Sequence, residues 1–539
     1  MNSLLRRKSV DAADQDGHNS GMTRLLTVRD LTFFGIAAII GGGVFSAIGN
    51  ACFSGGPGVI FLYAICAVAC GFTAMCYAEF ASRVPVSGSA YTYAYITFGE
   101  LFAWIIGWAL IMEYSIGNIY VAFSWSGYFT NLVPGIPEWL TTNYRNAHHA
   151  FLSNTPGEGL TAWNNAPIIG GLRIIFDLPA VAINILLTSL VYIGTRESRN
   201  LSNTMVVIKL SIICLVIVVG LFHIDIDNWK PFMPNGFGGV MAGVSAVFFA
   251  YIGFDAISTL AEETRNPQKD LPRSMIYALV ICTVIYMILA LIITGMASYK
   301  LMGVSDPLAE IFKLRGMKWM LFIVSVAAVI AMTGILLVYQ MGQPRIWMSM
   351  SRDGLMPKRF SSIHPKHKTP GFATIITGLV VGIPIFFTDE TLVLDFTSIG
   401  TLFAFVLVCG GMLILPRETG KKEAGKFRMP YVNSKWIIPS LTVASFVLIF
   451  IFVPDSIYHS GEKRILNIPM VVFYIVWIVM AVLSFIKKYS LIPVLGLLSC
   501  FYLLTGMGTT NWIMFIIWLL IGLVIYFLYG YRHSRLAKH

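Results

Sequence analysis

Apolar residues in this chain gather into long blocks instead of alternating with polar ones. Trp319–Val338, Phe372–Phe387 and Trp512–Leu528 are examples, each set off by short charged loops. About twenty apolar residues in a helix cross the hydrocarbon of a bilayer, so each block predicts one spanning helix. A single-chain β-barrel would show alternating runs of about ten residues instead. The pattern predicts fourteen segments, numbered here 1 to 14: 31–50, 57–82, 101–130, 179–195, 203–222, 237–262, 273–297, 319–345, 371–388, 391–415, 435–455, 467–486, 491–508 and 512–530.

Two of these segments are interrupted by glycine. Segment 1 contains GIAAIIGGGVFSAIG at Gly35–Gly49, and segment 6 lies in GFGGVMAGVSAVFFAYIGFD at Gly236–Asp255. A helix broken at membrane depth is tolerated only where its released backbone groups face a cavity, a ligand or other protein groups. The breaks therefore mark a candidate binding site for a membrane carrier. They also divide the first ten segments into two sets of five. Consecutive sets with an odd number of spans must run in opposite directions, which predicts an inverted repeat with its ligand where the corresponding helices break.

Composition agrees with this solvent. Of 539 residues, 56% are hydrophobic, 13% aromatic and only 12% charged. The net charge of +11 is spread over short loops with no aromatic-interleaved basic domain, so nucleic acid is excluded as a partner. Those loops report orientation instead. Arg6, Arg7, Lys8, Arg24 and Arg29 precede segment 1; Arg196 and Arg199, then Arg265, Lys269 and Arg273, then Arg352, Lys358, Arg359, Lys366 and Lys368 follow on the same side. Arg417, Lys421, Lys422, Lys426 and Arg428, then Lys487 and Lys488, and the tail with Arg532, Arg535 and Lys538, also fall there. Excess Lys and Arg mark the cytoplasmic side, so both termini are expected inside a multi-pass protein of the cell membrane. Lys300, Lys313, Arg315 and Lys318 argue the other way and are outnumbered.

The expected organisation is a cytoplasmic tail over 1–28, a first repeat over 29–225 (segments 1–5) and a second over 226–418 (segments 6–10). Four peripheral segments and a tail complete it over 419–539. The connection at 132–178 predicts an outer cap with short helices, and Ser305–Leu314 a short outer helix with Pro307 in its first turn. The N-terminal tail carries no apolar signal core. Seven of the eight cysteines lie in the segments without ligand spacing, and neither a metal nor a cofactor is expected.

Gly41, Gly42 and Gly43, flanked by Ile40 and Val44, have two explanations: close helix packing, or a backbone that lets N–H groups reach a carboxylate. Carbonyls released near Phe248, Phe249, Ala250 and Gly253 would suit an ammonium. An α-amino acid carries both charges on one carbon. Ionisable groups inside the segments are costly and so informative. Lys209 in segment 5 is open to two roles: a proton carrier, since burial favours its neutral form, or a lysine reaching back to the headgroups. Glu113 in segment 3 is open to three: binding a cationic side chain, pairing with Lys209, or holding a helix contact. Asp255 either orients the broken segment 6 or faces the cavity.

Three long stretches carry a resemblance: Cys76–Glu100 (CYAEFASRVPVSGSAYTYAYITFGE), Phe248–Pro272 (FFAYIGFDAISTLAEETRNPQKDLP) and Met350–Pro357 (MSRDGLMP). They resemble the cationic amino acid transporter branch of the amino acid–polyamine–organocation superfamily, over residues 20–430 and again over 489–534. The pair of segments at 435–486 looks like the addition that marks fourteen-span members. The resemblance implies an all-α integral membrane protein with the LeuT-like five-plus-five inverted repeat, helices 1 and 6 broken, and four extra C-terminal spans. It also implies that Gly41–Val44 receive the substrate carboxylate, with glycine at the middle position where serine, threonine or alanine is common. Phe248–Ala250 would then receive the amino group, with Phe249 as gating ring. Lys209 would occupy the place of a sodium ion, and Glu113 matches an acidic position of bacterial members.

The expected activity is import of an α-amino acid with a proton, a monomer being sufficient and membrane lipids its surroundings. Exchange of amino acids without protons is the alternative, with Lys209 a structural charge. A channel would need a continuous polar pore, and no nucleophile, nucleotide or metal motif suggests an enzyme. His364 and His367, in a basic inner loop, suggest a solvated face or phospholipid contact. Apolar Gly334–Gln340, Phe405 and Val406 lean to a neutral substrate side chain, and Glu113 leans to a basic one.

Overall fold

The structure is a computed structural model that describes residues 5–10, 21–41, 43–133, 135–154, 157–303, 307–388, 390–415, 426–452, 467–507 and 509–537. A helix or a broken helix occupies every one of the fourteen expected segments. Among the described residues, seven helices are long and apolar enough to cross a membrane, and segments 4, 9, 10, 11 and 13 supply shorter apolar ones. Their outer faces carry exposed aliphatic side chains such as Leu186, Val284 and Leu520.

Local chemistry sets several of the starts. Segment 1 opens as the helix Val28–Ile39 on a capping box, in which Thr27 and Asp30 each accept from the other's backbone amide. Segment 4, Leu178–Ile193, starts at Asp177, whose carboxylate accepts from the Ala180 amide at 3.0 Å, with Pro179 in the first turn. Segments 3 (Glu100–Leu132) and 8 (Lys318–Arg352) are the longest helices, and segment 8 runs one to two turns past the end expected from its apolar block. They lie antiparallel, with Gly117 against Tyr339, Gly342 against Tyr114 and Gly107 against Met350. A glycine at each of these crossings lets the aromatic or thioether side chain reach the opposing backbone.

Around that pair, segment 2 packs on segment 7, segment 1 on segments 5 and 7, and segment 10 on segments 3 and 13. Segments 11 and 12 pack on one another, and 12 on 13, which leaves them at the periphery. The 132–178 connection has the expected short helices, Tyr144–Leu152 and Glu158–Asn165. It also has what an all-helical expectation omitted: a two-residue antiparallel ladder, Ile168–Ile169 with Leu172–Arg173, and a small apolar cluster around Trp163. Of the short helix expected at 305–314, the described part is Pro307–Leu314.

The first and last described stretches, residues 5–10 and the chain around Arg535, meet on one face. The strand of chain at residues 5–10 lies against the helix Ala90–Thr97 between segments 2 and 3: Glu100 N–H donates to Arg6 O and Lys8 N–H to Tyr95 O. The Lys8 ammonium is buried 2.6 Å from the Asp353 carboxylate at the end of segment 8. Tyr91 donates to the other oxygen of Asp353, and Arg535 N–H to the Asp353 carbonyl. Burial first, and then the Asp353 carboxylate, push the Tyr91 phenol well up, so it remains a donor.

Candidate functional site

Segment 1 stops being α-helical at Ile39. Ile40 is extended, and a π-turn over Gly43–Ala47 leads into the helix Ile48–Gly55. The last carbonyls of a helix have no partner within it and carry the negative end of the helix dipole. Lys209 supplies the missing donor. Its ammonium, fully buried, donates to the carbonyls of Ile40 at 2.7 Å, Ile36 at 3.0 Å and Ala37 at 3.3 Å. Lys209 does not reach back to the headgroups, and it does not pair with Glu113.

Segment 6 is broken into helices Gly236–Ala242 and Val244–Phe249, a turn, and a 3-10 helix Phe254–Glu263. The turn ends at Gly253, whose φ of +120° suits glycine and whose missing side chain leaves room for Ala38. Asp255 is buried at the start of the 3-10 helix, one residue after Phe254 and two after Gly253. The first half-helix thus carries an ammonium on its carbonyl end.

Tyr286 of segment 7 joins the two breaks, and the sequence pattern did not single it out. Its hydroxyl lies 2.8 Å from the Ile39 carbonyl and 3.0 Å from that of Ala250. One of the carbonyls that sequence reasoning offered to an ammonium is therefore already bonded in this structure. It is one of two phenols in segment 7, with Tyr277, and nothing in the pattern distinguishes it. Gly41 faces the side chain of Ile335, and Gly334 stands with its β-position 3.9 Å from Lys209 Nζ, so segment 8 lines the first break. Gly42 and the side chain of Phe249 lie outside the described residues. Ile40, Val44, Phe248 and Ala250 are all buried at the breaks, with the Phe248 ring edge-on to Phe405 at 6.4 Å.

Glu113 is buried next to Asp255 and hydrogen-bonded to Thr401 of segment 10, while its Oε2 has no hydrogen-bond partner among the described residues. Toward the terminal face, rings of Tyr77, Phe254 and Phe405 pack at 5.2–6.0 Å. Beyond them, Arg345 in segment 8, fully buried, pairs with Glu263 at 2.8 Å, and Thr195 also donates to Glu263. Leu25 and Leu26 donate their amides to the Glu263 carbonyl, which ties the chain ahead of segment 1 to the end of segment 6. Neither charge was singled out in the sequence, where they stand 82 residues apart.

The arrangement holds two opened backbones against each other by a buried ammonium and one phenol. Opened backbone of this kind suits a small polar ligand. Comparison with known proteins agrees. The sequence profile of the family described as amino acid permease matches residues 26–480, and that of the amino acid permease C-terminus matches 489–534. The match thus runs through segment 11 and most of segment 12, beyond residue 430. The chain is 36% identical over 538 residues to the branched-chain amino acid permease BcaP of Bacillus subtilis, covering 99% of both chains. It is 35% identical to the methylthioribose transporter of the same bacterium over the full length of both. It is 30% identical to the vacuolar cationic amino acid transporter 2 of Arabidopsis thaliana, covering 100% of this chain and 94% of the relative. These relatives are transporters and not enzymes. The chain belongs to the amino acid permease family, in the cationic amino acid transporter branch of the amino acid–polyamine–organocation superfamily.

Proposed function

We propose that this transporter imports an α-amino acid across the cell membrane together with a proton, by alternating access of a five-plus-five inverted repeat. Both termini lie in the cytoplasm and a monomer suffices. The observation that carries the proposal is Lys209 Nζ within 2.7–3.3 Å of three carbonyls at the end of the first half-helix. A protonated Lys209 neutralises that helix end with three donors; a deprotonated one loses one donor, and the two bonds that remain are no longer charge-assisted. Proton binding then biases the position of the half-helix Val28–Ile39, which is the differential affinity that coupling requires. The contact of the two breaks, and the meeting of the first and last described stretches on one face, support the repeat and an even number of spans.

The substrate carboxylate is assigned to the backbone around Gly41–Val44, and its ammonium to carbonyls near Phe248–Ala250, where Tyr286 is displaced or shared. Glu113, with its unbonded Oε2, reads the side chain. Relatives bear the names of branched-chain and cationic amino acids and of methylthioribose, so the test begins with all twenty labelled amino acids. Uptake into proteoliposomes is measured with and without an inward proton gradient, and with amino acid absent or trapped inside. Uptake into empty vesicles that rises with the gradient supports symport. Uptake that needs internal amino acid and ignores the gradient makes the protein an exchanger.

A further inference from the structure

The turn between segments 8 and 9 is built and docked. His364 N–H donates to Thr369 O at 2.8 Å, Lys368 N–H to His364 O at 2.9 Å, and His367 N–H to His364 Nδ1 at 3.2 Å. It is fastened to the end of segment 4: His367 Nδ1–H donates to Ile193 O at 2.7 Å and the Thr369 hydroxyl to Tyr192 O at 3.0 Å. The two imidazoles pack on each other at 4.7 Å and on the Tyr192 ring. Lys368 is held at φ +56°, where a residue with a side chain is strained, so this geometry persists only because the surrounding bonds over-determine it.

The turn holds Lys366 and Lys368 exposed, and Arg196 is exposed three residues beyond the Ile193 carbonyl that anchors it. No ion pair engages any of these cations among the described residues, and Glu197 is the one exposed acid described on that face. Below the turn, segments 4 and 9 pack on each other and turn apolar side chains outward: Leu186 and Ile193 on one, Ile375 and Leu379 on the other, each 47–59% exposed. Cations at the end of an exposed aliphatic surface match a molecule with an anionic head and acyl chains.

Resting on the membrane placement of this permease, we propose that Arg196, Lys366 and Lys368 form a binding site for the phosphate headgroup of an anionic phospholipid. Its acyl chains lie along segments 4 and 9. The rigid turn distinguishes the site from a diffuse basic collar, because it fixes two lysines relative to a helix end. A lipid there bridges segment 9 to the junction of segments 4 and 5.

The test is native mass spectrometry of delipidated protein titrated with phosphatidylglycerol or phosphatidylcholine. Two triple variants remove equal charge: Arg196→Gln/Lys366→Gln/Lys368→Gln, and Arg265→Gln/Lys269→Gln/Arg273→Gln on the same face. The site requires one tightly retained phosphatidylglycerol per chain, with affinity lowered more than about tenfold by the first triple variant and little changed by the second. Equal losses in both variants reduce the effect to collar charge and overturn the proposal. So do equal retention of phosphatidylcholine and displacement of the lipid by millimolar inorganic phosphate, the latter marking a site for a soluble anion.

Discussion

Gly43 and Ala250 touch across the two breaks: a β-carbon on Gly43 would stand 2.5 Å from both the Cα and the Cβ of Ala250. The backbones of segments 1 and 6 are therefore in direct contact beside the proposed substrate position. Gly43→Ala forces them apart, and overpacking of this kind costs about 1–3 kcal/mol. Because alternating access requires the two breaks to move relative to each other, transport should suffer more than folding. We expect Gly43→Ala to reach the membrane in normal amount and lose most uptake. Wild-type uptake by this variant would show that the contact is not part of the transport cycle.

Tyr286 makes a sharper case, since a single oxygen can be removed. Tyr286→Phe leaves the Ile39 and Ala250 carbonyls without their donor in a buried site, a loss of about 1–3 kcal/mol. Substrate that brings its own ammonium to Ala250 regains part of that loss on binding. The expected result is a lower melting temperature without substrate, and a larger stabilisation by saturating substrate than in the wild type. An unchanged melting temperature in both conditions would remove Tyr286 from the site.

The sequence carried the large features of this fold, because membrane segments announce themselves by local composition. Glycine breaks in segments 1 and 6 were also legible, from the triplet Gly41–Gly43 in the first and the scattered glycines of Gly236–Asp255 in the second. What stayed hidden were relations between distant residues. Lys209 was conspicuous as a charge, but only three dimensions show it capping the half-helix 28–39 instead of meeting Glu113. Tyr286, in contrast, is chemically ordinary in its segment, and its importance lies entirely in which carbonyls it meets. Lys8 looked like one cation of a solvated tail and is in fact buried against Asp353, 345 residues away.

That pair leads to a prediction about stability. With side-chain exposures of 8% and 6%, Lys8 and Asp353 are shielded from water, and removing one partner leaves a buried charge. Breaking such a pair costs roughly 3–5 kcal/mol, and the lower end applies because Tyr91 continues to donate to Asp353. Lys8→Ala should lower the thermal midpoint in detergent. Lys8→Gln combined with Asp353→Asn should recover at least half of the loss, because no unpaired charge remains. A double variant less stable than Lys8→Ala would mean that the chain at 5–10 is held by its backbone bonds and not by the ion pair.

Lys209 allows coupling to be separated from architecture. Lys209→Ala removes both the donor to three carbonyls and the titrating group, so loss of uptake in that variant alone is ambiguous. Lys209→Arg keeps a permanent positive charge that is not released at any pH of the assay. If proton release from residue 209 drives the half-helix, the arginine variant should still exchange labelled for trapped amino acid while losing the stimulation by an inward proton gradient. Lys209→Ala should lose that stimulation too, with a lower melting temperature from the uncapped helix end. Gradient-stimulated uptake persisting in Lys209→Arg would mean that the proton travels elsewhere, and the buried acids Glu113 and Asp255 would be the next groups to substitute.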